Sequence, residues 1–591
     1  MHFKKRSFTL DELRDELWGA RDAARVARLV AKMEQKMQAD QAAFVDRVEA
    51  LSGVVTHQYW IINACAVDIG AAQIGAISNM PEVAYVEASK ICSPHVLRHA
   101  ISDKMHNAAA LHASGIAGEG VAVAIIDSGQ NTQYGGGRMH PTYYNDPKLL
   151  FSGKSRLLFN KVLDTHDVAR HGTAVTSCAA GCGQPFTATF PEGPGHAYKS
   201  KIAAYTIAGQ SNGDAYVAVM INAFQTMLAD SAANDIRVAN LSYSGFPDLL
   251  SGLAKAMDNV AVVGDILVCA SAGNEAGDLS KSNATLNGIS VGAIDSSKAL
   301  ASFSCRGYMR DLQDRPRVFP TVVGYGVDVS MAMSGSSYSW TASGTSFASP
   351  MIAGAASIVR AANKSLHADE TKAILMAGTS ASLGGNKIET GLGVGYVRDD
   401  YAHTIAIDPL KHGRVTIPAA FPQTYRLQVQ YKKDEWLKFG VAWHRTDINS
   451  RDYPDIDVVV KDGTKEVLKS NFSWNTEEFV RFQVPADTTY TIEVYVDEWR
   501  GASEVTFGWA CNRRVVLPLA TITKQPIDTT IDLGYRQRTA VMSVAADNAL
   551  SYQWRKSGLN LTGETRPELL LRSQIWALDA GNYDCVVKGP H

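Results

Sequence analysis

Between residues 120 and 400 short, unbroken apolar runs alternate with helical stretches, and this constrains the fold more than any other feature of the chain. Residues 121–126 are apolar at every position. Residues 236–241 and, with interruptions, 261–270 read as further strands, and Val291-Gly292-Ala293 follows. Strands that are apolar on both faces need cover on both faces, and the helices expected at 215–229 and 346–362 supply it. The expectation is a parallel α/β sheet.

The flanks have other periodicities. Over residues 8–50, Leu10, Leu13, Leu17, Val26, Leu29, Val30 and Met33 recur three and four apart, which predicts amphipathic packing helices. Residues 54–62, 65–69 and 83–86 read as strands with a helix at 71–78 between them, a small α+β unit. After Asp408 the pattern is all-β: 437–443, 457–460 and 490–496 alternate, with turns such as Asp462-Gly463 between strands. A second β unit follows Thr523, and the chain stops where one more strand is expected, as if cut short.

With 591 residues the chain exceeds one core, so several domains are expected. A net charge of -2 and the lack of a long Lys/Arg run point away from nucleic acid. No stretch is apolar enough to span a membrane. The basic start Met1–Arg6 leads into the charged segment 9–16 rather than into an apolar signal core. Eight cysteines are scattered. Cys178 and Cys182 stand i,i+4 on an expected helix, about 5–6 Å apart at Cβ and too far for a disulfide. Buried free thiols are expected, and no His/Cys cluster has zinc spacing.

Four short motifs carry chemistry. Asp127 ends the strand 121–126 in Asp127-Ser128-Gly129, at the carboxyl edge where open α/β sheets build their sites, although a plain turn explains it equally well. His171 stands before Gly172 at a helix start, an ordinary place for a histidine. Ser346 lies in Ser343-Gly344-Thr345-Ser346-Phe347-Ala348-Ser349-Pro350 at the start of a small-residue helix, with Pro350 expected in its first turn. There its N–H and the helix dipole meet developing negative charge; an N-cap serine accounts for the Ser but not for the octapeptide. Asn274, in Ser271-Ala272-Gly273-Asn274-Glu275, offers a side-chain amide as a second oxyanion donor.

Taken in order, these four motifs resemble the signature set of the subtilisin-like serine proteases, the subtilases, over roughly residues 54–405. The resemblance implies a multidomain chain: an N-terminal helical segment at 1–50, a ferredoxin-like inhibitory propeptide at 51–95, an α/β subtilisin-like catalytic domain with a parallel sheet at 96–405, a jelly-roll-like β-sandwich at 406–515 and an immunoglobulin-like domain at 520–591. In the last of these Trp554 fits the core tryptophan and residues 579–583 the tyrosine corner. It also implies a triad of Asp127, His171 and Ser346 with Asn274 in the oxyanion hole, and autoprocessing near His95-Val96. Ser242, Tyr243, Ser244 and Gly245 would pair with substrate backbone, with Ser271, Ala272 and Gly273 as the opposite wall of the S1 pocket and Glu275 near its rim.

The sequence departs from the family pattern where Ser244 replaces a usual Gly, and where Ala174 and Ser177 replace the usual His and Gly. The implied partners are polypeptide substrates and the chain's own propeptide, with the β domains open to a surface or glycan. No cofactor is required; structural calcium fits the family, but no ligands are identifiable. Extracellular or cell-envelope location follows from the family, while the scattered cysteines and missing signal fit a cytoplasmic alternative. Two other readings are a catalytically silent binding protein on this fold and a processing protease dedicated to one precursor.

Overall fold

The computed structural model describes residues 2–3, 23–87, 91–92, 106–134, 138–144, 154–182, 194–243, 249, 251–277, 283, 285–310, 316–332, 339–380, 391–419, 424–446, 453–516, 520–527, 540–547, 549, 551–571 and 580–588. Its centre is a seven-stranded sheet of β1 (Ala122–Asp127), β2 (Leu157–Val162), β3 (Lys201–Thr206), β4 (Ile236–Leu241), β5 (Leu267–Ser271), β6 (Ile289–Ile294) and β7 (Val322–Tyr325). The order is β7-β6-β5-β4-β1-β3-β2 and every pairing is parallel.

The helices that cover it are α1 (Ala169–Ala180), α2 (Val217–Asn234), α3 (Gly252–Gly264), α4 (Thr345–Ala362), α5 (Ala368–Ala377) and α6 (Asp399–Ala406). Alternation along β1 explains the layers. Val123 and Ile125 pack with Val175 of α1 and Phe347 and Ile352 of α4; Ala122, Ala124 and Ile126 pack with Phe224 of α2 and Met257 of α3. From β1 the chain builds outward through β3 and β2 on one side and through β4 to β7 on the other. The carboxyl ends of β1 and β4 therefore border the crevice where such sheets place their sites.

One strand expectation fails. Residues 261–264 belong to α3, and the strand begins only at Leu267. Asp265 caps the helix in the left-handed conformation (φ 54°), and this break divides an apolar run whose helix and strand are both buried. The cysteine expectation also needs correcting: α1 ends at Ala180, so Cys182 lies beyond it, and the separation does not come from an intact helix. Both thiols are nevertheless buried, and neither is in a disulfide. Pro350 is the sixth residue of α4 and stands in its second turn rather than its first.

The N-terminal unit is a four-stranded antiparallel sheet, ordered Val54–Tyr59, Ala64–Asp68, His2–Phe3, Val83–Tyr85, backed by the helix Ala23–Ala50. Phe44 and Val48 of that helix share a core with Cys65, Ile77 and Val83. The unit sits on α2 and α3. Trp60, Ile61 and Ile62 join their apolar cluster, Tyr59 Oη donates to Ala218 O at 2.7 Å, and Trp60 N donates to Gln225 Oε1 at 3.1 Å. Glu87 Oε1 accepts from Gly252 N, in the first turn of α3, and from His2, both at 2.8 Å.

Beyond α6 a β-sandwich pairs a four-stranded sheet (His412–Pro418, Glu504–Cys511, Trp436–Trp443, Glu477–Gln483) with a five-stranded one around Trp443, Trp509 and Phe439. Its four-stranded sheet lies directly on α5. At Gly508 a Cβ would fall 2.4 Å from Glu370 N, so only glycine admits this approach. A last β unit is built around buried Trp554, whose Nε1 donates to Arg566 O at 2.9 Å.

Candidate active site

The strand end and the start of α1 are fastened to each other. Ser128 Oγ donates to Val168 O at 2.7 Å and accepts from Gly172 N at 3.2 Å. A Cβ on Gly172 would lie 2.1 Å from Gly129 O, so the contact requires glycine there. The result brings His171, the third residue of α1, to Asp127, the last of β1, with 2.8 Å between His171 Nδ1 and Asp127 Oδ1. Ser128 N donates to the same oxygen at 2.7 Å. Both side chains are buried. With Nδ1 donating to the carboxylate, Nε2 is the basic nitrogen, and it has no hydrogen-bond partner. The imidazole is framed by Tyr243 and by Phe347, ring centroids 6.0 Å and 5.6 Å away, and Phe347 is the neighbour of Ser346.

Ser346 is the second residue of α4, where no preceding carbonyl exists to accept its N–H, and the cap residue Gly344 supplies no side chain. Its Oγ rests on Ser242 O at 3.2 Å rather than on His171. The carbonyl of Ser346 faces a different gap. Pro350, four residues on, has no N–H to give it, and Ser242 Oγ fills that place at 2.8 Å. Ser242 Oγ accepts in turn from Asn240 Nδ2 (2.9 Å), and Asn240 Oδ1 from Ser349 Oγ (2.7 Å). Sequence reasoning missed Asn240 and Ser349 in this chain of bonds, which locks α4 onto β4. The available signal was a polar residue inside each of two largely apolar elements.

Asn274 is oriented by Thr345, the residue before the serine. Its Oδ1 accepts from Thr345 N at 2.8 Å and Thr345 Oγ1 at 2.9 Å, which leaves Nδ2 as an unused donor beside the start of α4. Gly273 N donates to Thr345 Oγ1 at 3.0 Å. Of the residues expected to line a substrate cleft, Ser271 ends β5 and is buried, and Ala272 packs against Leu249, Leu286, Cys305 and Phe319. Glu275 is exposed, with its N on Cys305 Sγ at 3.4 Å. Tyr243 turns its ring inward and donates to Gly213 O at 2.7 Å, so only its backbone is left for a cleft wall. Ser244 and Gly245 lie outside the described residues, as do His95 and Val96. Among the described residues no group of three or more His, Cys, Asp and Glu could hold a metal, and no helix is long and apolar enough to cross a membrane.

A serine at a helix start, an Asp-held imidazole and a side-chain amide thus stand at the carboxyl ends of a parallel sheet. Residues 118–395 match the Subtilase family (peptidase S8). The chain is 27% identical over 338 residues to subtilisin E of Bacillus subtilis (strain 168), which covers 56% of this chain and 80% of that protein. It is 26% identical over 333 residues to an alkaline protease of Shouchella clausii, covering 56% and 78%. With subtilisin Savinase of Lederbergia lenta it shares 29% identity over 258 residues, 44% of this chain and 82% of the relative.

Proposed function

We propose that the chain is a serine endopeptidase that works through an acyl-enzyme. The observation that carries this reading is the 2.8 Å Asp127–His171 bond, which leaves Nε2 unpartnered beside the helix start that bears Ser346. The reaction begins when the Ser346 hydroxyl turns from Ser242 O to His171 Nε2. His171 takes its proton as Oγ attacks the scissile carbonyl carbon, and Asp127 stabilises the imidazolium that forms. The carbonyl oxygen becomes an oxyanion held by Ser346 N–H and Asn274 Nδ2. As the C–N bond breaks, His171 passes the proton to the leaving amine. Water then repeats the cycle on the ester and frees Ser346.

Asn274→Leu tests the oxyanion assignment. It is expected to lower kcat by roughly 10²–10³, an effect of the size measured at such a donor in a subtilisin, with KM moved far less. An unchanged kcat would remove Asn274 from the mechanism.

The N-terminal unit is read as an inhibitory propeptide, cut by the enzyme itself near His95-Val96. Its support is a mixed apolar and hydrogen-bonded seat on α2 and α3. After it, the chain pairs Ile91–Cys92 with Ala215–Tyr216, close to Gly213, which holds the Tyr243 ring. N-terminal sequencing of active enzyme should begin near Val96, and Ser346→Ala should stay uncut; active enzyme with an intact N-terminus would exclude this step. Polypeptides are the substrates, an extracellular or cell-envelope setting goes with the subtilisin relatives, and the β domains are candidates for surface or glycan contact. Transport and glycan-array measurements on the full chain test these last two assignments.

A further inference from the structure

We propose that the substrate side chain bound next to Ser346 is selected for donating a neutral hydrogen bond, a carboxamide above all, with Asn283 and Ser271 as its receptors. This rests on the peptidase reading above.

Beyond His171 Nε2 and Asp127 Oδ2 of the site itself, Asn283 Oδ1 and Ser271 Oγ are buried and have no partner among the described residues. Asn283 has its amide nitrogen on Tyr243 O. A carbonyl only accepts, so the NH₂ end faces Tyr243 and Oδ1 faces the other way, where it meets no donor. From behind, Ser290 Oγ donates to Asn283 O at 3.4 Å. Tyr243 directly follows Ser242, whose own carbonyl holds Ser346 Oγ. Ser271 ends β5, two residues before Gly273, which donates to Thr345 Oγ1. Each orphan is thus a short step along the chain from a hydrogen bond made by Ser346 or Thr345.

Protein interiors satisfy nearly all their buried polar atoms, so two exceptions beside a nucleophile call for a partner that arrives with the substrate. Ala272, Leu286 and Phe319 in the adjoining cluster are apolar and supply no side-chain donor. Among the described residues no carboxylate is bonded to Asn283 or Ser271, so a Lys or Arg side chain would be buried there without a bonded counter-charge. A glutamine side chain brings two N–H donors for Asn283 Oδ1 and Ser271 Oγ, and a carbonyl that Ser271 O–H can reach instead. Methionine has almost the same shape and no donor.

The test compares two peptides that differ only in Gln or Met at P1, the residue on the acyl side of the cut, with active sites counted by diisopropyl fluorophosphate. Wild type is expected to favour Gln at least about tenfold in kcat/KM, since a site built to hydrogen-bond a substrate group rejects the analogue that lacks it. Asn283→Ala should bring the ratio close to one. Ser271→Ala, which removes only the orphan hydroxyl and so keeps the test alive if the first variant misfolds, should lower it severalfold. Titratable enzyme that cleaves the Met peptide as well as the Gln peptide would overturn the inference, its orphans then being occupied by water, and leave the peptidase reading intact. Wild type that titrates no active site would sink both.

Discussion

Ser346→Ala is expected to cut kcat on any cleaved peptide by about 10⁶, the scale measured when subtilisin loses its triad serine, while KM changes little. Alanine fits the site: Ser346 is fully buried, and its hydroxyl makes one bond, to Ser242 O, that alanine leaves to water or to relaxation. The carbonyl of residue 346, which Ser242 Oγ needs, is kept. His171→Ala should cost about as much, and the double variant scarcely more than either single one, because serine and histidine act as one unit. Additive losses in the double variant would mean that the two residues work independently and that the 2.8 Å Asp127–His171 pair serves structure alone.

Glu477→Gln is expected to destabilise the protein by about 3–5 kcal/mol, the cost of leaving a buried charge uncompensated. Glu477 reaches out of the β-sandwich into the α/β unit. Its Oε1 accepts from Arg317 at 3.1 Å and its Oε2 from Lys372 of α5 at 2.8 Å, and all three side chains are buried. Burial alone would push the Glu477 carboxyl up, but Lys372 and Arg317 outweigh it and draw the pKa down from 4.5 to about 2. Lys372 also sits below its ordinary value, because burial acts on it more strongly than Glu477 does. The two shifts pull opposite ways on the pair. The carboxylate's shift governs the pH dependence, since two cations and five hydrogen bonds hold its charged form.

The pH dependence follows from that sign. A carboxyl whose folded pKa lies below its unfolded one stabilises the protein fully above about pH 4.5, and the contribution is lost as pH falls towards 2. Thermal melts should therefore place wild type about 3–4 °C above Glu477→Gln at pH 7, with the gap closing steadily between pH 4.5 and 2. Adding Lys372→Met should recover part of the loss, since it removes one of the two cations left behind. Equal melting points at pH 7 would show that the sandwich is an appendage rather than part of the folded body. Arg445 of the sandwich, bonded to Asp258 of α3 at 2.9 Å, argues for the integral view as well.

How far the sequence could be read follows the range of the interactions involved. The apolar runs of β1, β4 and β6 showed through because burial on both faces is written locally, at every position. Residues 260–270 were ambiguous for the same reason: α3 and β5 are both buried all round, and only Gly264-Asp265 marks the break. The strand His2–Phe3 was invisible, since two residues carry no period and the partners lie some sixty and eighty residues away, at Ala64 and Tyr85.

At the site, motifs placed Asp127, His171, Asn274 and Ser346 because their chemistry demands particular residue types. The Asn240–Ser242–Ser349 bonds, the inward ring of Tyr243 and the Glu477 cluster join residues far apart in the chain, and each residue alone reads as an ordinary polar or aromatic position. Pro350 shows both sides of this. Its missing N–H could be read from sequence, but the need for Ser242 Oγ appeared only once Pro350 stood in the second turn of α4.

The most direct test of the central claim is to treat the full chain with a fluorophosphonate and map the adduct by peptide mass spectrometry, beside Ser346→Ala, both before and after the N-terminal unit is nicked off by an unrelated protease. One adduct per chain is expected, on Ser346, absent from the variant. Labelling on another residue, or none on Ser346 under either condition, would contradict it.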